Sequence, residues 1–265
     1  MQDTIAPEVR TLFENAGLTS FDAIWNKEIP AVDAPNLERG GHSEVGLLEL
    51  ETLEGTKRFY VKRQINHLGR SFSRPLGEPT FARELRNIKR FAHKGIPALS
   101  AVWYGERRDA DGWRAILITP ELAGYEDLVG LHSRWENLDE DSRLAIVASS
   151  AQLVGKLHQA RWMHGSLYAK HVFLKQDGEQ HWQAQLIDLE KCRPLLTRRD
   201  RLRDLEILMR RLPKWDSTTL RHFFVHYLGG DASDARINSW QQALEKRQTK
   251  KKPQTLNSTK VSASS

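Results

Sequence analysis

Cysteine is almost missing from this chain. Cys192 stands alone among 265 residues, which excludes an internal disulfide framework and a cysteine-built zinc site and fits a reducing compartment. Long apolar runs are missing too. No stretch approaches the roughly 20 apolar residues that a membrane helix requires. The opening MQDTIAPEVR has no basic segment leading into an apolar one, so no secretion signal is expected. These absences predict a soluble, cytoplasmic protein. Acids are missing from the last twenty positions, which hold Lys246, Arg247, Lys250, Lys251, Lys252 and Lys260. The whole net charge of +6 lies there, and residues 1–245 balance. A neutral body argues against a nucleic-acid-binding surface, and no specific nucleic acid is expected as a partner. Residues 248–265, rich in Lys, Ser and Thr and poor in apolar side chains, are expected to form a disordered basic tail.

Several motifs fall short of completion. Gly40, Gly41 and Gly46 spell neither G-x-G-x-x-G nor a Walker loop. Gly165-Ser166-Leu167 meets Tyr168 where a hydrolase elbow needs glycine. His222 and His226 have the spacing of a zinc pair, but Phe223 replaces the glutamate and no third ligand follows.

What is present is bulky core material, with eight Trp and nine Phe, and a clear change of pattern midway. Residues 7–17 and 21–27 read as short helices, and 45–51 and 57–63 as strands joined by a tight turn. The Gly-, Pro- and Ser-rich stretch 64–79 reads as an irregular loop. From Pro79, Phe81, Leu85, Ile88 and Ala92 recur at helical spacing until Gly95. Strands at 101–107 and 113–119 follow. After Pro120 the chain turns helical. One long helix starts near Asp139 with Leu144, Val147, Ala151, Val154 and His158 on one face. Short strands at 171–174 and 182–187 precede helices around 202–212, 217–228 and 233–247. The expected fold class is α+β and two-lobed: an antiparallel sheet lobe over 1–119, then a helical lobe over 120–247.

Four features then fall in one order: the glycines at 40, 41 and 46; Lys62 in a strand (FYVKR); Glu84 on the next helix (FARELRN); and a loop HGSLYAKH from His164 to His171 followed by IDLE from Ile187 to Glu190. This is the order of parts in a protein-kinase-like phosphotransferase. A strand lysine offers a charge to nucleotide phosphates, and a helix glutamate holds it there. A carboxylate ending a late strand holds Mg²⁺, and glycines admit backbone N–H groups close to phosphate.

From about Arg39 to Leu212 the chain resembles the lipopolysaccharide core kinases, the Kdo/WaaP family, and within it the InaA-like branch. The resemblance rests on FYVKRQ, RPLGEPTFARELRNIKRF, HGSLYAKHVFL and IDLEKCR. It implies a protein-kinase-like fold, with Lys62 as nucleotide-phosphate lysine and Glu84 as its partner. It implies Asp188 as the metal-binding aspartate and Asp204, in RLRDLEIL, as the support of the catalytic loop. It implies ATP and Mg²⁺ as cofactors, a heptose or Kdo hydroxyl of the lipopolysaccharide inner core as acceptor, and work at the cytoplasmic face of the inner membrane. The tail would supply peripheral contact with that anionic surface. His164 is expected to anchor the loop, and His171 stands where protein kinases place a magnesium-binding Asn. One position departs. Ser166 occupies the place of the catalytic Asp, and a hydroxyl of high pKa cannot serve as that base. Glu190 and Tyr168 are the substitutes that the sequence offers. A catalytically impaired, nucleotide-binding regulatory or stress-response pseudokinase is therefore the alternative. The basic cluster Lys62, Arg63, Arg70 and Arg74 is expected to favour an anionic saccharide.

Overall fold

The computed structural model describes residues 3–32, 34, 41–71, 74–110, 112–178 and 181–249. Gly40 and the expected tail from 250 onward lie outside them. In chain order the first half runs β1 (Thr4–Ile5), α1 (Arg10–Asn15), α2 (Phe21–Asn26), β2 (His42–Thr52), β3 (Gly55–Ile65), β4 (Leu68–Ser71), β5 (Arg74–Pro79), α3 (Thr80–His93), β6 (Trp103–Asp109) and β7 (Gly112–Pro120). Five of these strands form one antiparallel sheet in the order β1-β6-β7-β3-β2.

Both faces of that sheet are covered, which explains the near-continuous apolar run Ala115-Ile116-Leu117-Ile118 in β7. Strand side chains alternate between faces. Ile116 and Ile118 join Phe59 and Val61 in a core closed by Phe13, Phe21 and Ile24 of α1 and α2. Ala115 and Leu117 join the other core, with Phe81, Ile88 and Phe91 of α3. The same alternation in β3 turns Lys62 away from Phe59 and Val61, towards α3. Glu84 lies on the buried stripe of α3 with Phe81, Ile88 and Phe91. The facing of Lys62 and Glu84 is thus a product of two periodicities, 2.0 in the strand and 3.6 in the helix.

The second half runs β8 (Glu126–Asp127), α4 (Leu128–Ser133), α5 (Glu140–Gln159), β9 (Trp162–Met163), β10 (Val172–Gln176), β11 (Trp182–Leu186), β12 (Arg193–Pro194), α6 (Arg198–Met209), α7 (Ser217–Tyr227) and α8 (Asp234–Thr249). Helix starts carry side-chain caps: Asp139 accepts from Ser142 N at 2.7 Å, Asp216 from Thr219 N at 2.8 Å, and Thr197 with Asp200 forms a capping box on α6. The core of this half is continuous with α3, so that helix belongs as much to the helical half as to the sheet. Leu99 N donates to Leu186 O at 2.9 Å and adds a backbone tie between the halves.

Two expectations are corrected. Residues 64–79 are not an irregular loop, because β4 and β5 pair as a small hairpin. In a two-stranded ribbon each strand has one unpaired edge, so a proline without an N–H is tolerated there. Gly77, at φ 90°, supplies a conformation that a side chain would resist. Leu144 does not share the buried face of α5: it is 39% exposed, and Ile146, Leu153 and Leu157 fill the core instead. The short elements β1, β8 and α4 carry too few residues to announce a period.

This correction separates two leucines of one helix. In urea titrations Leu157→Ala is expected to cost about 2–5 kcal/mol as a core truncation, whereas Leu144→Ala stays within about 0.5 kcal/mol of wild type.

Candidate active site

A cavity of about 580 Å³ lies between the sheet and the helical half. Lys62, Glu84, His171, Asp188 and Glu190 supply its polar wall, and Phe81, Leu99, Phe173 and Ile187 an apolar one.

Lys62 Nζ donates to Glu84 Oε1 at 2.7 Å, with the lysine side chain 18% exposed and the glutamate 2%. Burial works against the Lys62 charge, but Glu84, with Asp188 and Glu190 beyond it, more than offsets this and holds the ammonium above the usual lysine range. Burial pushes the Glu84 carboxyl up and the Lys62 ammonium pulls it back. Such a pair adds little to stability once desolvation is counted. Its effect is to hold one cation at the cavity wall.

Asp188 follows β11 by two residues and adopts the left-handed region at φ 57° and ψ 60°. A non-glycine residue there carries strain of about 1–3 kcal/mol, a feature that concentrates at functional positions. Burial disfavours the Asp188 charge, yet His171 and Lys62 outweigh it, and the carboxyl is held below its usual range. Its Oδ2 lies 3.4 Å from His171 Nε2. The other ring nitrogen, Nδ1, is 2.9 Å from Ser166 O. A carbonyl only accepts, so Nδ1 carries the proton. Burial pushes the His171 pKa down while Asp188 draws it back up, and in its neutral form the ring offers a lone pair at Nε2. Two electron-pair donors therefore converge on one point, an arrangement that fits a cation. Among the described residues no group of three or more His, Cys, Asp or Glu is placed to hold a metal. A cation here would need further oxygens from a ligand, which is how Mg²⁺ is commonly held.

The loop between β9 and β10 holds one 3-10 turn, Ala169–His171, and is otherwise irregular. Asp204, fully buried on α6, fixes it: the carboxylate accepts from His164 N at 2.6 Å and from Gly165 N at 3.0 Å. His158 of α5 adds a third donor, Nε2 at 3.3 Å, while its Nδ1 meets the Tyr227 hydroxyl at 2.8 Å. His164 is buried, and its Nε2 donates to Ile187 O at 2.9 Å, tying the loop to the residue before Asp188. Ser166 is 6% exposed, and its carbonyl takes both Tyr168 N and His171 Nδ1.

The remaining expected residues are placed less centrally. Gly41 ends the stretch leading into β2, and a Cβ on it would collide with the backbone of Asn66 and His67. Before that stretch, Val32 N donates to Val45 O and Leu47 N to Pro30 O. The chain at 30–32 thus runs beside β2 as a further extended segment, with Val32 and Ala34 on the cavity wall. Gly46 lies inside β2, against Ile29. Arg63, expected in a saccharide-facing cluster, is committed elsewhere. It donates to Ile24 O at 2.7 Å, to Lys27 O at 2.5 Å and to Glu44 at 3.3 Å, clamping α2 to the sheet. The His222 and His226 rings meet edge-on with centroids 4.6 Å apart, and His222 Nε2 lies 3.1 Å from Leu144 O. The residue that the sequence reading missed is Asn87, buried one turn after Glu84 and bonded to Leu189 O and Cys192 O. Its one signal was a polar residue on the apolar stripe of α3.

A family model described as "Lipopolysaccharide kinase (Kdo/WaaP) family" matches residues 22–227. Protein InaA of Escherichia coli is 30% identical over 218 residues, covering 79% of this chain and 97% of that protein. The lipopolysaccharide core heptose(I) kinase WaaP of Pseudomonas aeruginosa is 31% identical over 133 residues, 47% of this chain and 50% of that protein. A solved structure of WaaP in complex with acyl carrier protein superimposes with a TM-score of 0.67 at 21% identity, covering 94% of this chain and 99% of that one. That likeness establishes the kinase-like fold.

The buried network has a pH signature. Burial outweighs Asp204 and lowers the His158 pKa, so the unfolded chain takes up this proton more readily than the folded one. Stability is then lost as pH falls below about 6.5, the ordinary histidine value, towards the lower folded pKa. In thermal melts across that window, His158→Gln is expected to give a shallower fall of Tm than wild type.

Proposed function

The chain belongs to the lipopolysaccharide kinase (Kdo/WaaP) family, and from that premise we propose that it transfers the γ-phosphoryl group of ATP to a hydroxyl of a lipopolysaccharide inner-core sugar, a heptose or Kdo. The observation that carries this reading is the convergence of the Lys62–Glu84 pair and the Asp188–His171 pair on one cavity. Lys62 places its ammonium where nucleotide phosphates would lie, and Glu84 keeps it from swinging into solvent. Asp188 and His171 would hold Mg²⁺, which would supply charge neutralisation for the nucleotide phosphates. Gly40 and Gly41 would let the chain before β2 approach the phosphates. Asp204 and His164 hold the loop that carries Ser166 and ends at His171 on the cavity wall. The Ser166 hydroxyl can hydrogen-bond an acceptor hydroxyl but does not take its proton. Because the phosphoryl transition state is loose, positioning and charge account for most of the acceleration. Lacking a carboxylate base lowers the rate by about 10²–10⁴-fold without removing the reaction. We assign residues 1–119 and 120–247 as the two lobes of this kinase-like plan. No helix among the described residues is long and apolar enough to cross a membrane. The basic stretch 248–265 is proposed to hold the protein beside the anionic inner-membrane surface from the cytoplasm.

Ser166 favours a second reading, a nucleotide-binding pseudokinase with a regulatory role. Incubation with [γ-³²P]ATP, Mg²⁺ and a deep-rough core saccharide separates the two. The kinase reading expects label transfer that Asp188→Ala abolishes, and a rise in rate for Ser166→Asp. Label no higher than the Asp188→Ala background sinks it, and ATP binding without transfer leaves the pseudokinase.

The tail is tested apart from the chemistry. Removal of residues 248–265 is expected to reduce co-sedimentation with anionic phospholipid vesicles, at about 1 kcal/mol per basic residue near the surface. Equal sedimentation of both forms overturns the membrane contact.

A further inference from the structure

Asn87 joins the two halves of the proposed site through a single side chain. It stands three residues after Glu84 on α3 and is 2% exposed. Its Nδ2 donates to Leu189 O at 2.8 Å and to Cys192 O at 3.1 Å, two carbonyls of the turn that follows Asp188. The orientation of the amide is settled by Arg90, whose Nη1 lies 3.0 Å from Asn87 Oδ1. A guanidinium only donates, so oxygen faces Arg90 and nitrogen faces the carbonyls. Arg90 is itself held, stacked 4.5 Å over the Trp162 ring at the entry to the loop, and Phe91 meets the same ring edge-on at 6.0 Å.

We infer that Asn87 is a positioning residue that sets Asp188 relative to the Lys62–Glu84 pair. The turn from Leu189 to Cys192 is a single 3-10 turn closed by one backbone bond, Cys192 N to Leu189 O at 3.1 Å. Asp188, at its start, sits in the left-handed region and makes no side-chain cap to it. Local structure alone is therefore a weak reason for that conformation to persist. The Asn87 amide supplies what is missing, because a shift of the turn would break both bonds and leave a buried amide nitrogen without its acceptors. One turn back along the same helix, Glu84 grips Lys62. A fixed helical spacing of three residues thus becomes a fixed spacing between the phosphate-facing cation and the cation-holding carboxylate. The inference rests on the nucleotide reading of the cavity.

The chain carries its own probe, since its one cysteine, Cys192, closes the tethered turn and is buried. Native full-length protein is labelled with DTNB, and ATP affinity is measured by calorimetry with and without Mg²⁺. Asn87→Asp keeps the shape and removes both donors. It is expected to label at least about tenfold faster and to lose about 10–100-fold of the Mg²⁺-dependent gain in ATP affinity, the usual range for a residue that orients a metal ligand. ATP affinity without Mg²⁺ stays within about twofold, a split that a merely structural residue would not produce. Should Asn87→Asp fold poorly, Asn87→Ala carries the same two readouts. Unchanged labelling overturns the tether. Faster labelling with the Mg²⁺ gain intact, or an equal loss with and without Mg²⁺, overturns the positioning role. Wild-type protein that binds no ATP overturns the nucleotide reading and the positioning role with it, and the thiol data then tell that failure apart from a missing tether.

Discussion

The loop that carries His164, Gly165 and Ser166 owes its shape to a carboxylate that never reaches solvent. Asp204 is fully buried and accepts from two successive backbone amides and one imidazole. A buried carboxylate without enough donors would be costly. Here the cost is offset by three N–H groups that themselves need acceptors, so loop and carboxylate satisfy each other. The demand then spreads. His158 must carry a proton on Nε2 and be correctly oriented to donate, which draws in Tyr227 of α7 at the other ring nitrogen. His164 must present its ring to Ile187, which fixes the approach to Asp188. The packing of α5, α6 and α7 is in this sense arranged around one buried carboxyl group.

The sheet poses the complementary problem. One of its charged members, Lys62, lies on a strand packed on both faces, and a lysine there needs a partner. The helix that provides Glu84 is packed into the core of the helical half through Ile88 and Phe91. The partner of a sheet residue is thus anchored largely outside the sheet. That arrangement makes the relative placement of the halves a condition for the ion pair, and the backbone tie from Leu99 to Leu186 reinforces it.

Much of this was legible in the residues. Period-2 and period-3.6 patterns located β2, β3, β6, β7, α3 and α5 to within a few residues, since long elements average out exceptions. Lys62, Glu84 and Asp188 could be named together because their order along the chain is distinctive, and they do meet at one cavity. What escaped has a physical cause in each instance. The β4–β5 hairpin is rich in Gly, Pro and Ser, which signal turns, and its two strands are too short to show a period of their own. Leu144 has the right spacing for the core but sits at the edge of the apolar arc, where one residue of drift decides exposure. Arg63 was grouped by charge, while its guanidinium is used to satisfy carbonyls of α2 39 and 36 residues away. The role of Asn87 was not legible beyond its place on an apolar stripe, because its partners, Leu189 and Cys192, are 102 and 105 residues distant.

The loop uses Ser166 through its backbone: the carbonyl receives Tyr168 N and His171 Nδ1, and these bonds do not depend on which side chain stands at that position. Scaffold and reactivity are therefore separable there. A lineage could exchange a carboxylate for a hydroxyl, or recover it, by a single codon-level change that the fold barely registers. Selection at position 166 would then track chemistry alone, whereas selection at 158, 164 and 204 would track folding, and the two would leave different patterns of variation among descendants of one ancestor.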